Sequence, residues 1–170
     1  MLGELLVLRL VHVLGGIFWV GGMMYVTFFL APALAQAGPA AGPVMAAMQQ
    51  RRMFLWLPVI AVITILAGIR LMMISSMGFQ SAWFASTSGK TYLGSAVLSV
   101  LALILGLAIV RPTMMRTGRL MAEMAGADDA RRSALQGELA ALRQRSTAMQ
   151  RLVTWMLILA AAGMAVARYL

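Results

Sequence analysis

Residues 11–25 of the chain read VHVLGGIFWVGGMMY and indicate its class of fold. They belong to a run of apolar residues long enough to cross the hydrocarbon core of a bilayer, for which a helix needs about 20 residues. The stretch contains His12, the only histidine of the chain, together with two Gly-Gly pairs and Trp19. An ionisable side chain inside such a helix indicates a functional site.

The composition of the whole chain indicates a helical membrane protein. Of its 170 residues, 62% are hydrophobic, whereas roughly half is usual in a soluble domain. Four apolar runs are long enough to span a bilayer, at 4–31, 54–76, 91–115 and 150–168. The first run is too long for a cleavable signal peptide, and it lacks a small-x-small cleavage site. We predict an all-α integral membrane protein in which residues 1–170 form one four-transmembrane-helix bundle.

Basic residues predict the orientation of this bundle. The connection 32–53 ends in two arginines and the segment 111–151 contains eight, whereas 77–90 has a single charge, Lys90. Arginine-rich loops remain on the cytoplasmic side of a membrane. We therefore expect the first and third connections between the spans, which carry these arginines, on the cytoplasmic side of a bacterial-type inner membrane. Both termini are then expected on the outside.

Local signals predict where the elements begin and end. Pro32 is expected to end the first helix, and Pro43 suits the first turn of the next one. Trp83 and Phe84 are typical of the aromatic belt at a membrane surface.

The segment 116–149 is predicted to be a cytoplasmic helical hairpin that extends helices three and four by roughly 20–30 Å. Asp128 or Asp129 can cap its second helix, with Gly126 in the turn before it. One apolar stripe is expected along that helix. Its members are Leu135, Leu139, Leu142, Met149 and Leu152.

The face of the first helix around His12 is the candidate functional site. Gly15 or Gly16 and Trp19 follow His12 at helical spacing and share its face, and Arg9 lies one turn toward the outside. The glycines allow another helix or a large flat ligand to approach closely, and they make a homo-oligomer plausible. His12 lies about 12 Å deep in the helix. The alternative interpretation is that His12 only donates a hydrogen bond to a neighbouring helix.

Four cations are expected near the outer end of the bundle, namely Arg9, Arg70, Lys90 and Arg168. Glu4 is the only acidic residue there. Cations in excess of protein carboxylates indicate an anionic ligand. Snorkelling toward lipid phosphates is the alternative explanation.

These features together favour haem b. The iron would bind His12, the macrocycle would lie against the glycine face, and the propionates would meet Arg9, Arg70 and Lys90. The second axial ligand would be Met73 or Met164, or the iron would stay five-coordinate.

The first helix resembles that of the HemJ-type membrane protoporphyrinogen oxidases. Both have a basic residue three positions before the histidine, which is Arg9 in this chain. Both also have a tryptophan seven positions after it, a glycine ten after it and a tyrosine thirteen after it, which are Trp19, Gly22 and Tyr25 here. Lys90 resembles a lysine of that family. The resemblance implies haem b at His12 and a membrane oxidoreductase with an unidentified electron partner. The family's Leu-Pro-Arg segment and second histidine are missing after the tyrosine, where this chain has VTFFLAPAL at 26–34.

The same helix also resembles the CopD family of copper-resistance membrane proteins, which shares the histidine and Trp-x-Gly elements. This resemblance implies copper transport or copper binding. Methionine thioethers suit Cu(I), and the chain has 16 methionines. Met72, Met73 and Met77 are the better-placed candidates, while Met-x-x-Met pairs at 45/48 and 121/124 are also explained by packing.

Other chemistry lacks the residues it requires. The chain has no cysteine, and four of its five acidic residues fall in the predicted hairpin. Thiolate metal sites, disulfides and paired-carboxylate or Ser-His-Asp catalysis are therefore excluded. The net charge of +9 is explained by orientation in a membrane; we expect the lipid bilayer, not nucleic acid, as its partner.

Overall fold

The computed structural model describes residues 2–124 and 126–170, with the backbone alone at residue 39. Every element within those ranges is helical. The helices are α1 (Leu2–Gln36), α2 (Ala41–Gln50), α3 (Met53–Ser75), α4 (Ser81–Ala85), α5 (Thr87–Met124) and α6 (Asp129–Ala167), with one 3₁₀ turn at Gly38–Ala40. Four of them, α1, α3, α5 and α6, are long and apolar enough to cross a membrane. The prediction of an all-α protein with four such helices is confirmed.

The long helices pack as two pairs, α1 with α3 and α5 with α6. The pairs meet in a core around Trp19, Ala61, Ala102 and Leu157. The end of the bundle that holds both termini and α4 is called the terminal end below, and the opposite one the hairpin end. Only 6% of the apolar window of α1 is buried, against 28% for α6. Most of α1 therefore faces away from the protein.

Pro32 does not end the first helix, so that prediction is wrong. A π turn at Val26–Leu30 precedes it, in which the Ala31 N–H donates to the Val26 carbonyl, and the helix continues to Gln36. The same arrangement recurs in α5, where a π turn at Gly106–Val110 precedes Pro112. A proline ring lacks the helical N–H and crowds the carbonyl four residues earlier. The wider π turn accommodates the ring within a continuous helix.

Pro43 lies in the first turn of the short helix α2, and not at the start of the second long helix. That helix, α3, begins at Met53 after Arg52, whose φ of 55° places it in the left-handed region. The left-handed residue separates the axes of α2 and α3.

α5 and α6 pack against each other as a helical hairpin. The Asp128 carboxylate accepts the Arg131 N–H at 2.8 Å and caps α6, and Gly126 lies in the turn. Leu120 packs against Leu135 and Leu139 between the two helices.

Ion pairs reinforce the hairpin. Arg116 binds Glu138, and Arg131 binds Glu123 at 2.6 Å. The hydrogen bond to Glu123 and the charge of that carboxylate raise the pKa of Arg131.

The predicted apolar stripe of α6 is wrong at its last member. Leu152 is 49% exposed, while the neighbouring Val153 is 1% exposed and belongs to the core. The reason is helical geometry, since successive side chains differ by about 100° around the axis. The buried face passes through Gln150, Val153 and Leu157.

A small polar cluster joins α6 to the π turn of α1. Gln150 Nε2 donates to Thr27 Oγ1 at 3.2 Å, and Thr27 Oγ1 and Thr154 Oγ1 are 2.7 Å apart. Thr154 Oγ1 donates its proton to the Gln150 carbonyl at 2.9 Å. The Thr154 hydroxyl therefore accepts the hydrogen bond from the Thr27 hydroxyl. All three residues are buried. Such satisfied buried polar groups fix the register of two helices.

Leu135→Ala should destabilise the protein by about 2–5 kcal/mol, because it leaves a cavity in the hairpin core. Leu152→Ala is the matched control in the same helix, and its effect should be smaller by more than half because that side chain is exposed. Reversible unfolding in detergent measures both. Equal losses of stability would contradict the assignment of the buried face.

Candidate functional site

The site begins with an unusually close contact between α1 and α3. A Cβ atom at Gly15 would collide with the Thr64 hydroxyl, and it would lie 3.4 Å from Thr64 Cβ. A Cβ atom at Gly68 would lie 2.7 Å from His12 Cε1 and 3.0 Å from His12 Nδ1. Two glycines, one in each helix, therefore allow the helices to approach with the imidazole between them.

The orientation of His12 follows from one hydrogen bond. Its Nδ1 lies 2.8 Å from the Thr64 carbonyl oxygen. Because a carbonyl can only accept, Nδ1 carries the proton, and in the neutral ring Nε2 then carries the lone pair. Nε2 makes no hydrogen bond to any described residue. This is the arrangement in which histidine binds a metal, with the second nitrogen oriented by a carbonyl.

His12 lines a cavity of about 760 Å³ at the terminal end of the bundle. Cavities of roughly 300–1,000 Å³ are typical of small-molecule and cofactor sites. The wall is mostly aliphatic and aromatic, and α1, α3, α4, α5 and α6 all contribute to it. The polar residues of the wall are Arg9, His12, Thr64, Ser75, Tyr92 and Ser99. Trp19 and Trp83 contribute their indole rings to it.

The structure brings together five of the residues that the sequence analysis assigned to the site. Arg9, His12, Gly16, Trp19 and Met164 all line this cavity. The space next to Gly16 is open, since a Cβ atom there would meet nothing within 4 Å. Trp19 is 6% exposed and closes the inner end of the cavity toward the core.

The other four assigned residues, Gly15, Arg70, Met73 and Lys90, lie outside the cavity wall. Gly15 faces Thr64, as described above. Arg70 donates to Glu4 Oε1 from Nε at 2.8 Å and from Nη2 at 2.6 Å, and its Nη1 lies 3.5 Å from the Met73 sulfur. The charge of Arg70 is thus already paired with a protein carboxylate. Arg9 is the only cation that the described residues place in the wall.

Several residues of the site escaped the sequence analysis. Thr64 and Gly68 set the position of His12, and Tyr92 and Ser99 contribute to the wall. Met72, named above only as a copper candidate, also lines the cavity. Trp83, expected only in an aromatic belt, also lines the cavity. The spacing Thr64-x-x-x-Gly68 places both residues on one helix face, but only the pairing of α1 with α3 relates that face to His12.

The donor set limits the chemistry of the site. No group of three or more His, Cys, Asp or Glu side chains occurs in the part of the chain that the structure describes. An ion bound here would therefore take one imidazole nitrogen, with thioethers or non-protein ligands completing its coordination. A comparison with known proteins finds no matching family model, no similar curated protein and no similar solved structure.

Gly68→Ala should displace the His12 ring, because the new methyl group would lie 2.7 Å from Cε1. His12 is the only histidine, so ¹⁵N-histidine labelling yields the resonances of one ring. The wild type should show the tautomer protonated at Nδ1, and Gly68→Ala should shift or broaden that signal. Gly21→Ala is the control, because a Cβ atom there meets open space in the same wall. An unchanged Gly68→Ala spectrum would contradict the geometry described.

Proposed function

We propose that this chain is an integral membrane protein that binds haem b at His12 and has a redox role. The observation that carries the proposal is the hydrogen bond from His12 Nδ1 to the Thr64 carbonyl at 2.8 Å. It leaves Nε2 as an iron ligand in a cavity of sufficient volume. The resemblance of residues 9–25 to the HemJ family supports the same assignment.

The cavity wall suits an amphipathic ligand with a large flat body. Its apolar residues would contact the macrocycle, and Gly16 leaves space for it beside His12. Arg9, one helical turn nearer the terminal end, would bind a propionate. Met164 lies in the wall and would be the better candidate for a second iron ligand, whereas Met73 lies outside it.

Bound haem would supply one-electron iron chemistry, at a potential set by the axial ligands and by the surrounding dielectric. The residues of this chain would bind the group, orient its ligand and exclude water. Trp19 and the aliphatic residues of the wall separate the site from the hairpin end. In the HemJ interpretation the protein is an oxidoreductase that uses a separate electron-transfer partner.

The charge distribution supports the proposed orientation in a bacterial-type inner membrane. The hairpin end and its flanking connections contain ten arginines. They are Arg51, Arg52, Arg111, Arg116, Arg119, Arg131, Arg132, Arg143, Arg145 and Arg151. The terminal end has only Arg9, Arg70, Lys90 and Arg168. By the positive-inside rule the hairpin lies in the cytoplasm, and the cavity is nearer the outer surface. The largely exposed α1 then faces lipid or a second copy of the chain.

Copper binding is the second candidate. The cavity wall contains two thioethers, Met72 and Met164, together with His12. Sulfur and imidazole are suitable ligands for Cu(I). Met77 is 72% exposed and lies outside the wall. The absorption spectrum and metal content of the purified protein separate the two candidates, because haem gives a Soret band and stoichiometric iron whereas copper gives neither.

His12→Ala should abolish haem retention or change the Soret band, since no other imidazole is available in the chain. Added imidazole should restore part of the spectrum by filling the space of the missing ring. Arg119→Ala, at the hairpin end, is the control and should leave the haem content unchanged. Wild-type haem content in purified His12→Ala would overturn the assignment of the iron ligand.

Arg9→Gln should weaken haem binding more than Arg70→Gln does. The loss at Arg9 should be about 1.5–3 kcal/mol, the magnitude of one charge-assisted hydrogen bond. Arg70 is already paired with Glu4, and its side chain is 46% exposed, so its removal should cost roughly 0–1 kcal/mol. Haem titration of the apoprotein in detergent measures both losses. A larger effect at Arg70 would show that the ion pair rearranges around the ligand.

A further inference from the structure

Aromatic side chains line the part of the cavity wall that α4 and the start of α5 contribute. Trp83 of the short helix α4 stacks on Tyr92 of α5, with ring centroids 6.0 Å apart and planes inclined by 14°. Both rings line the cavity. Phe84 packs edge-on against Trp83 at 4.9 Å, and Phe79 stacks on Phe84 at 6.3 Å. We call Trp83, Tyr92, Phe84 and Phe79 the aromatic cap.

One serine and one glycine hold α4 against the start of α5. The Ser86 hydroxyl donates to the Trp83 carbonyl at 2.6 Å and accepts from the Gly89 N–H at 3.0 Å. A Cβ atom at Gly89 would collide with the Trp83 carbonyl oxygen, and it would lie 3.1 Å from Phe84 Cα. These are backbone atoms, which cannot turn aside as a side chain does. Any residue larger than glycine must therefore move α4.

The other end of α4 is shaped by a left-handed turn. Met77, Gly78 and Phe79 have φ values of 52°, 86° and 63°. Such values are uncommon for residues that carry a side chain. The Ser76 hydroxyl accepts the Phe79 N–H at 2.9 Å and supports the turn, and Ser76 is fully buried. A serine hydroxyl therefore binds the backbone in both connections of α4, Ser76 before the helix and Ser86 after it.

We propose that Trp83, stacked on Tyr92, closes the terminal end of the cavity and contacts the ligand, and that Gly89 is the residue that positions this closure. The inference rests on the proposed function for the identity of the ligand. Aromatic side chains stack on planar conjugated molecules, so the cap favours a ligand with a flat ring system. The ligand would then exchange past Trp83, from the membrane surface nearest the terminal end.

The first test uses Gly89→Ala, with Gly94→Ala as its matched control in the same helix. A Cβ atom at Gly94 meets open space, so the control tests the loss of a glycine without the collision. The measurement is the rate of haem transfer from the detergent-solubilised protein to excess apomyoglobin. Gly89→Ala should accelerate the transfer by up to about tenfold, as expected for the loss of one aromatic contact. The Soret band should stay unchanged, because His12 is untouched.

Substitutions of Trp83 separate a ligand contact from a purely structural role. Trp83→Ala should release haem as fast as Gly89→Ala does, and Trp83→Phe should restore much of the slow release because it keeps a ring against Tyr92. Transfer rates of Gly89→Ala and Trp83→Ala within about twofold of the wild type would overturn the proposal. A wild type without haem would instead overturn the proposed function.

Closure of the cavity is also measurable without haem. The chain has no cysteine, and Ser99, which is 9% exposed, lines the cavity. The thiol introduced by Ser99→Cys reports access through its alkylation by a water-soluble maleimide. Adding Gly89→Ala should accelerate that reaction by about tenfold, and adding Gly94→Ala should not. Equal rates in all three backgrounds would show that the aromatic cap does not close the cavity.

Discussion

The hydrogen bond between His12 and the Thr64 carbonyl is the interaction on which the site depends. It forms only because Gly15 and Gly68 let α1 and α3 approach with the imidazole between them. The bond makes the two ring nitrogens different, since Nδ1 binds the neighbouring helix and Nε2 is left without a hydrogen bond to any described residue. A bulkier residue at either glycine would separate the helices and remove this distinction.

The electrostatics of the terminal end are simpler than its number of cations suggests. Arg70 and Glu4 neutralise each other, and Lys90 lies outside the cavity wall. Among the described residues, Arg9 is therefore the one cation that lines the cavity. A ligand suited to this environment has a large apolar body and few anionic groups. The proposed haem b would meet the first condition through its macrocycle and the second through its two propionates, of which Arg9 would bind one.

Much of the fold follows from local sequence. Apolar runs predicted the four long helices, and the acidic pair after Gly126 predicted a cap at Asp128 or Asp129, of which the structure has Asp128. Helical spacing alone placed Arg9, His12 and Trp19 on one face, and all three line the cavity. What local sequence could not supply were contacts between distant segments. The roles of Gly68 and Trp83 depend on which helices are neighbours, and Pro32 was misjudged because a π turn leaves no clear periodicity in the sequence.

The most direct test of the account is the hyperfine coupling between the bound iron and the nitrogen of the single histidine. Protein labelled only with ¹⁵N-histidine, in its low-spin ferric form, is suited to pulsed electron paramagnetic resonance. Because His12 is the only histidine, any strongly coupled imidazole nitrogen must be its own. If His12 binds the iron, one such nitrogen is observed, and its signal changes from that of ¹⁴N to that of ¹⁵N on labelling. A haem signal that labelling leaves unchanged would show that His12 does not bind the iron.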